Sequence, residues 1–121
     1  TMPADLRAAD HRHRKNPEAQ ELRNWLDTQI FAPTPSLDEM ATKISRSRGQ
    51  TIRIFKSEYG ETPVQYLIGR KIEAARELLR GSPVAIKEIA DKLHFSDEYY
   101  FASVFKRKTG IAPGRYRSWK N

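Results

Sequence analysis

The sequence predicts an all-α protein: two helix-turn-helix units joined by a long linker helix, about seven helices in total. Three observations predict it. Apolar residues recur at helical spacing with no alternating strand pattern. Capping and stop signals punctuate the chain at short intervals. The second half of the sequence repeats the first.

The elements follow in order. Residues 1–15 form a polar tail ending in His11-Arg12-His13-Arg14-Lys15, read either as a solvated linker or as a basic arm touching phosphates. Asn16 and Pro17 are an N-cap and a first helical position. Leu22, Trp25, Leu26 and Ile30 then set a helix over about 17–30, broken by Phe31-Ala32-Pro33-Thr34-Pro35. Ser36-Leu37-Asp38-Glu39 is a capping box opening a short helix, with Leu37, Met40, Ala41 and Ile44 inward. Ser45-Arg46 is a turn, and Ser47 caps a helix over about 48–59 that Gly60 stops. Thr62-Pro63-Val64-Gln65 reads as a second capping box. It opens the longest helix, about 63–80, whose Val64, Leu67, Ile68, Ile72, Ala75 and Leu79 form one apolar stripe. Gly81-Ser82-Pro83 ends that helix. Two more, about 85–93 and 97–109, are separated by His94-Phe95-Ser96. Gly110 stops the second of them, and Pro113 starts a last helix ending near Trp119. Residues 16–121 thus read as one domain, with the first unit at about 37–60 and the second at about 85–110.

Composition narrows the function classes. A chain of 121 residues, 38% hydrophobic and 31% charged, is long enough for a real core and is globular in balance. Lys and Arg number 22 against 15 acids, a net charge of +7 that favours polyanions: DNA, RNA or an acidic membrane face. The absence of Cys removes disulfides, thiolate nucleophiles and the common zinc sites, and fits a reducing cytoplasm. No apolar run approaches the roughly 18–20 residues of a membrane span. Thr1 ahead of Met2 marks either an added remnant or a cut from a longer chain.

The repeat carries the architecture. Phe55-Lys56-x-x-x-Gly60-x-x-Pro63-x-x-Tyr66 returns 50 residues later as Phe105-Lys106-x-x-x-Gly110-x-x-Pro113-x-x-Tyr116. Upstream, Glu39-Met40-Ala41-x-Lys43-Ile44 returns 49 residues later as Glu88-Ile89-Ala90-x-Lys92-Leu93, so the second turn holds one extra residue. Ala at the interior of each short helix lets the next helix pass close over it. The turn position that favours a left-handed backbone is Ser45 in one copy and His94 in the other, which makes His94 structural.

Within each longer helix, one face must be inward. Thr51, Ile54 and Phe55 lie at i, i+3 and i+4, and their repeat partners are Phe101, Val104 and Phe105. At about 100° per residue, the opposite face carries Gly49, Ile52, Arg53 and Lys56 in the first copy. In the second it carries Tyr99, Ala102, Ser103 and Lys106, with Gln50 and Tyr100 on the flanks. Such a face fits the major groove, where every base pair shows a distinct donor and acceptor pattern. Arg53 is the leading candidate for base reading, because its fork matches guanine O6 and N7; the alternative is contact with phosphate or solvent only. Lys56 and Lys106, further along, suit phosphates, as do Ser47, Arg48, Ser96 and Arg107. Ile52 meets a thymine methyl or tucks against a neighbouring helix. Glu98 accepts from cytosine N4 or complements the helix dipole. Tyr99 stacks on sugar or base edges. The first unit is therefore expected to supply more base specificity, and the second to rely more on phosphates and DNA shape.

At these residues the chain resembles the AraC/XylS family of bacterial transcription regulators, from about Leu37 to Trp119. The most specific part is Ile86-x-x-Ile89-Ala90-x-x-Leu93-x-Phe95, continuing through Phe101, Phe105-Lys106, Gly110 and Pro113 to Tyr116-Arg117. The resemblance implies two readers held by the linker helix in successive major-groove segments, about 34 Å apart. It places base contact on Gly49, Gln50, Ile52 and Arg53, then on Glu98, Tyr99, Ala102 and Ser103. Gly49 has no side chain to reach with, Thr51 replaces a usual Leu, Ser103 a frequent Arg, and His94 a usual Gly. The resemblance also implies double-stranded promoter DNA and RNA polymerase as partners. It implies a cytoplasmic, nucleoid-associated location, and an effector ligand, if any, bound by a domain outside this chain. The chain is then the C-terminal part of a longer regulator or a free-standing one.

Competing classes fare less well. A basic helical protein-interaction module predicts evenly spread charge, whereas Arg46, Arg48, Arg53, Lys56, Lys106, Arg107 and Lys108 cluster in and after the turns. An RNA binder meets a deep A-form major groove that excludes a helix. An enzyme is the weakest reading: three His, no nucleophile constellation, no phosphate loop and no H-E-x-x-H. No cofactor and no metal are called for.

Overall fold

The computed structural model describes residues 16–120, without the side chains of Trp119 and Lys120. The basic stretch His11–Lys15 lies outside the described residues. Seven α-helices and no strand occur among them: α1 Pro17–Leu26, α2 Leu37–Ile44, α3 Arg48–Tyr59, α4 Pro63–Gly81, α5 Ile86–Lys92, α6 Glu98–Thr109 and α7 Pro113–Lys120. No described helix is long and apolar enough to cross a membrane.

The helices form two compact units. The described residues up to Trp25, with Ser36–Pro63, make the first; Leu26–Pro35 and the chain from Val64 onward make the second. Each is organised around its own helix-turn-helix.

In the first unit, Asn16 caps α1: its Oδ1 accepts the amides of Glu18 at 2.9 Å and Ala19 at 3.1 Å. The Ser36 box forms as its spacing predicts. The Glu39 amide donates to Ser36 Oγ at 3.1 Å, and the Ser36 amide donates to Glu39 Oε1 at 2.9 Å. Ala19, Leu22, Met40, Ala41, Ile44 and Phe55 are buried here. Thr51 is buried with them, and its hydroxyl donates to the Ser47 carbonyl at 2.8 Å. That bond satisfies the polar atom, which explains how Thr stands in an apolar position. Arg23 lies over the Tyr59 ring at 4.9 Å, and Tyr59 packs on Phe55 at 4.8 Å.

In the second unit, α4, α5, α6 and α7 enclose one core of Ile72, Ala75, Leu79, Ile89, Ala90, Leu93, Phe101, Val104, Phe105 and Tyr116. Its aromatic rings run in sequence, Phe95 to Phe101 at 5.2 Å, Phe101 to Phe105 at 5.8 Å and Phe105 to Tyr116 at 5.4 Å. Arg117 fastens the loop after α4: Nε donates to the Leu79 carbonyl at 3.0 Å, and Nη2 to those of Ser82 at 3.1 Å and Val84 at 2.7 Å.

Three expectations change. The first helix stops at Leu26 instead of continuing to Ile30, and Asp27–Gln29 form a 3-10 turn. Asp27 is drawn to the Tyr66 hydroxyl, which donates to its Oδ1 at 2.6 Å, and the Ile30 carbonyl is taken by Lys71. Val64 is 39% exposed, so the buried stripe of α4 begins at Leu67. That stripe also includes Lys71, which is only 2% exposed. Its Nζ donates to the carbonyls of Ile30 at 2.9 Å, Ala32 at 2.7 Å and Leu93 at 2.7 Å. Three N–H groups meet three acceptors, so the buried head group is fully bonded. The sequence held a signal: Lys71 sits four residues after Leu67 and four before Ala75, in step with the apolar row.

Candidate nucleic-acid interface

The two turns share one construction. Ser45 and His94 hold left-handed φ of 57° and 59°. In each turn the next amide reaches back to the alanine carbonyl, Arg46 to Ala41 and Phe95 to Ala90, both at 3.0 Å. This pairing satisfies end carbonyls that would otherwise be orphaned. The N-caps that follow are Ser47 and Asp97, 50 residues apart, whereas Ser45 and His94 are 49 apart. The extra residue therefore lies between Phe95 and Asp97. It also moves the start of the second reader to Glu98, because Asp97 is the cap.

In α3, Ser47 Oγ accepts the Gln50 amide at 3.1 Å and the Ser47 amide donates to Gln50 Oε1 at 3.1 Å. The spacing that signals this box is that of Ser36 and Glu39, so Gln50 has a capping role beside the base contact expected of it. Thr51 and Phe55 point inward with Ile54 half-buried, while Gly49, Gln50, Arg53 and Lys56 are exposed and Ile52 is half-buried. A Cβ added at Gly49 would meet nothing within 4 Å, so packing does not demand glycine there.

In α6, Asp97 Oδ1 accepts the Tyr100 amide at 2.7 Å. Phe101, Val104 and Phe105 are buried. Tyr99 stands 79% exposed; Ser103, Lys106 and Arg107 are exposed, and Glu98 and Ala102 are half-buried. Tyr100, at the third helical position, leans on Phe95 with ring centroids 5.9 Å apart. Ser96 is exposed ahead of the cap.

The basic cluster needs one correction. Arg46 is not a free cation: Nε and Nη2 bond Glu18 on α1 at 2.6 and 3.0 Å, a bidentate fork. The Glu18 hydrogen bond and charge raise its pKa above the ordinary value. Arg48 lies 3.5 Å from Asp38, both largely exposed. Such a pair holds Arg48 only weakly.

A family model described as "Helix-turn-helix domain" matches residues 40–118. A solved structure from Chromobacterium violaceum, described as a transcriptional regulator (AraC-type DNA-binding domain-containing proteins), is 28% identical with a TM-score of 0.78 and covers 86% of this chain and 92% of that one. The chain belongs to the AraC-type helix-turn-helix family. The DNA-binding domain of AdpA, solved in complex with a target DNA, is similar to this AraC-type chain at 26% identity and a TM-score of 0.77, covering 84% of this chain and 90% of that one. Among curated relatives, the HTH-type transcriptional regulator MtrA of Neisseria gonorrhoeae is 32% identical over 82 residues, 68% of this chain and 27% of its own length. The chain spans 27%, 34% and 26% of the first curated relatives it matches, all HTH-type transcriptional regulators by name.

Proposed function

We propose that this chain binds double-stranded DNA sequence-specifically as the DNA-reading domain of a bacterial transcription regulator, laying α3 and α6 in successive major-groove segments of one duplex. The observation that carries this reading is the pair of like-built helices. Each is capped at its N-terminus and buried on one face, and each leaves to solvent a face that ends in a lysine, Lys56 or Lys106. The DNA complex of the AdpA domain supports it by similarity of fold and sequence.

In this reading Arg53 is the main base contact, through guanine O6 and N7. Gln50, Ile52 and the backbone at Gly49 complete the first reader, although half-burial limits Ile52 to its edge. Tyr99, Ser103, Ala102 and Glu98 form a second reader with no basic side chain among them, which leans more on DNA shape. Lys56, Arg48, Ser47, Ser96, Lys106 and Arg107 hold phosphates. A longer regulator would add an effector-binding domain, contact RNA polymerase and work on the bacterial nucleoid in the cytoplasm.

Selection of bound sequences from a random duplex pool tests the reading. Enrichment of two patches about one helical turn apart is expected. Binding with no enriched sequence, or with no salt dependence, would instead favour the protein-interaction alternative.

A further inference from the structure

Resting on the DNA-binding reading, the geometry points to Gln50 as a specificity-determining residue that presents its donor end, its acceptor being turned back to the helix cap. The Ser47 N–H is a donor and can be met only by an acceptor, so Gln50 turns its Oε1 toward the cap, at 3.1 Å. Its own amide is held in return by Ser47 Oγ at 3.1 Å, which fixes the backbone beneath the side chain. What remains for a ligand is Nε2, with two N–H groups and no partner among the described residues.

A free glutamine recognises adenine with both ends at once, donating to N7 and accepting from the N6 amino group. Here the accepting end is engaged at the helix cap. The end left over fits guanine O6 or N7, adenine N7 or thymine O4, and has no acceptor for the amino group of cytosine. Gln50 therefore selects guanine or thymine over cytosine at one position, and gives adenine no advantage over guanine. The second unit has no counterpart, because its third helical residue is Tyr100, packed on Phe95. The readout is thus a property of the first unit alone.

The chain itself supplies a clean variant. The box opening α2 is the same motif with glutamate, Ser36 and Glu39 bonded at 2.9 and 3.1 Å. Gln50→Glu should keep the cap and replace the free donor with a free acceptor. We would measure affinities of wild type, Gln50→Glu and Gln50→Ala for four duplexes differing at each base pair of the selected site, together with thermal unfolding. At one position wild type should favour guanine or thymine over cytosine by roughly fivefold, the size of one hydrogen bond. Gln50→Glu should reverse that order toward cytosine or adenine with little change in melting temperature. Gln50→Ala should flatten it. The added negative charge lowers affinity on every duplex alike and cancels in the ratio. Binding by all three proteins with identical base preferences would overturn the assignment of Gln50 and leave the DNA reading standing. Failure of the wild type to bind any duplex would overturn both.

Discussion

The Lys71 ammonium donates to the Leu93 carbonyl at 2.7 Å, tying the middle of α4 to the residue just before the left-handed turn at His94. The same nitrogen holds the Ile30 and Ala32 carbonyls in the segment between α1 and α2. One side chain thereby fixes the entrance to the second reader. Lys71→Met, similar in length but without donors, should destabilise the fold by about 1–3 kcal/mol, the cost of orphaning the buried Leu93 carbonyl. The other two carbonyls lie nearer the surface and rehydrate. Denaturant unfolding checks it; unchanged or raised stability would show that desolvation of the ammonium outweighs its bonds.

Burial pushes the Lys71 pKa down to about 8 from 10.5. Between those values the unfolded chain keeps a proton that the folded chain has released. Stability attributable to this group therefore rises with pH through that window, by up to about 1.4 kcal/mol per pH unit. Below pH 8 the contribution is level. Subtracting the unfolding curve of Lys71→Met from that of the wild type isolates it, and a difference that falls across the window would contradict the shift.

Ser45 and His94 both occupy left-handed backbone, where a Cβ costs about 1–2 kcal/mol. Ser45→Gly and His94→Gly should be neutral or stabilising by up to about 1 kcal/mol, since relieved strain competes with glycine's greater unfolded freedom. Valine at either position should destabilise by more than 1 kcal/mol in rough terms. Melting temperatures of the four variants decide the matter.

Arg53→Ala should cost roughly 1–3 kcal/mol of DNA affinity and relax preference at one base position. Equal loss on every sequence would mark Arg53 as a phosphate contact. Profiling bound sequences before and after substitution separates the two.

Lys56 and Arg46 should respond differently to salt. Lys56→Ala should flatten the log–log dependence of affinity on salt by about one. Arg46→Ala should leave that slope nearly unchanged, because Glu18 already neutralises its guanidinium. A change of similar size in both would show that the Glu18 pair opens on DNA.

What could be read from sequence was whatever is local. The Ser36 and Ser47 caps, the Gly60 and Gly110 stops with φ of 81° and 86°, and the left-handed Ser45 and His94 are all fixed by residues within a few positions. The two inward triplets were legible for the same reason, through helical period and repeat. Pairings across distance were not: Arg46 to Glu18, Arg117 to the Leu79 carbonyl, and Tyr66 to Asp27 depend on how helices return to one another. At the candidate interface this matters most for Arg46, which charge clustering alone made look available. Gln50 is the intermediate case, since its box was spelled out in spacing while its consequence for readout needed the bond directions.

The linker helix belongs to two different partitions of the molecule. By sequence it is the tail of the first copy: Pro63 and Tyr66 match Pro113 and Tyr116, so the start of α4 corresponds to the start of α7. By packing it is part of the second unit from Val64 onward. Repeat and cohesion thus disagree about where one module ends. A chimaera exchanging first readers between relatives should be spliced near Pro63 to preserve the core, although alignment of the repeats would invite the cut at Ser82.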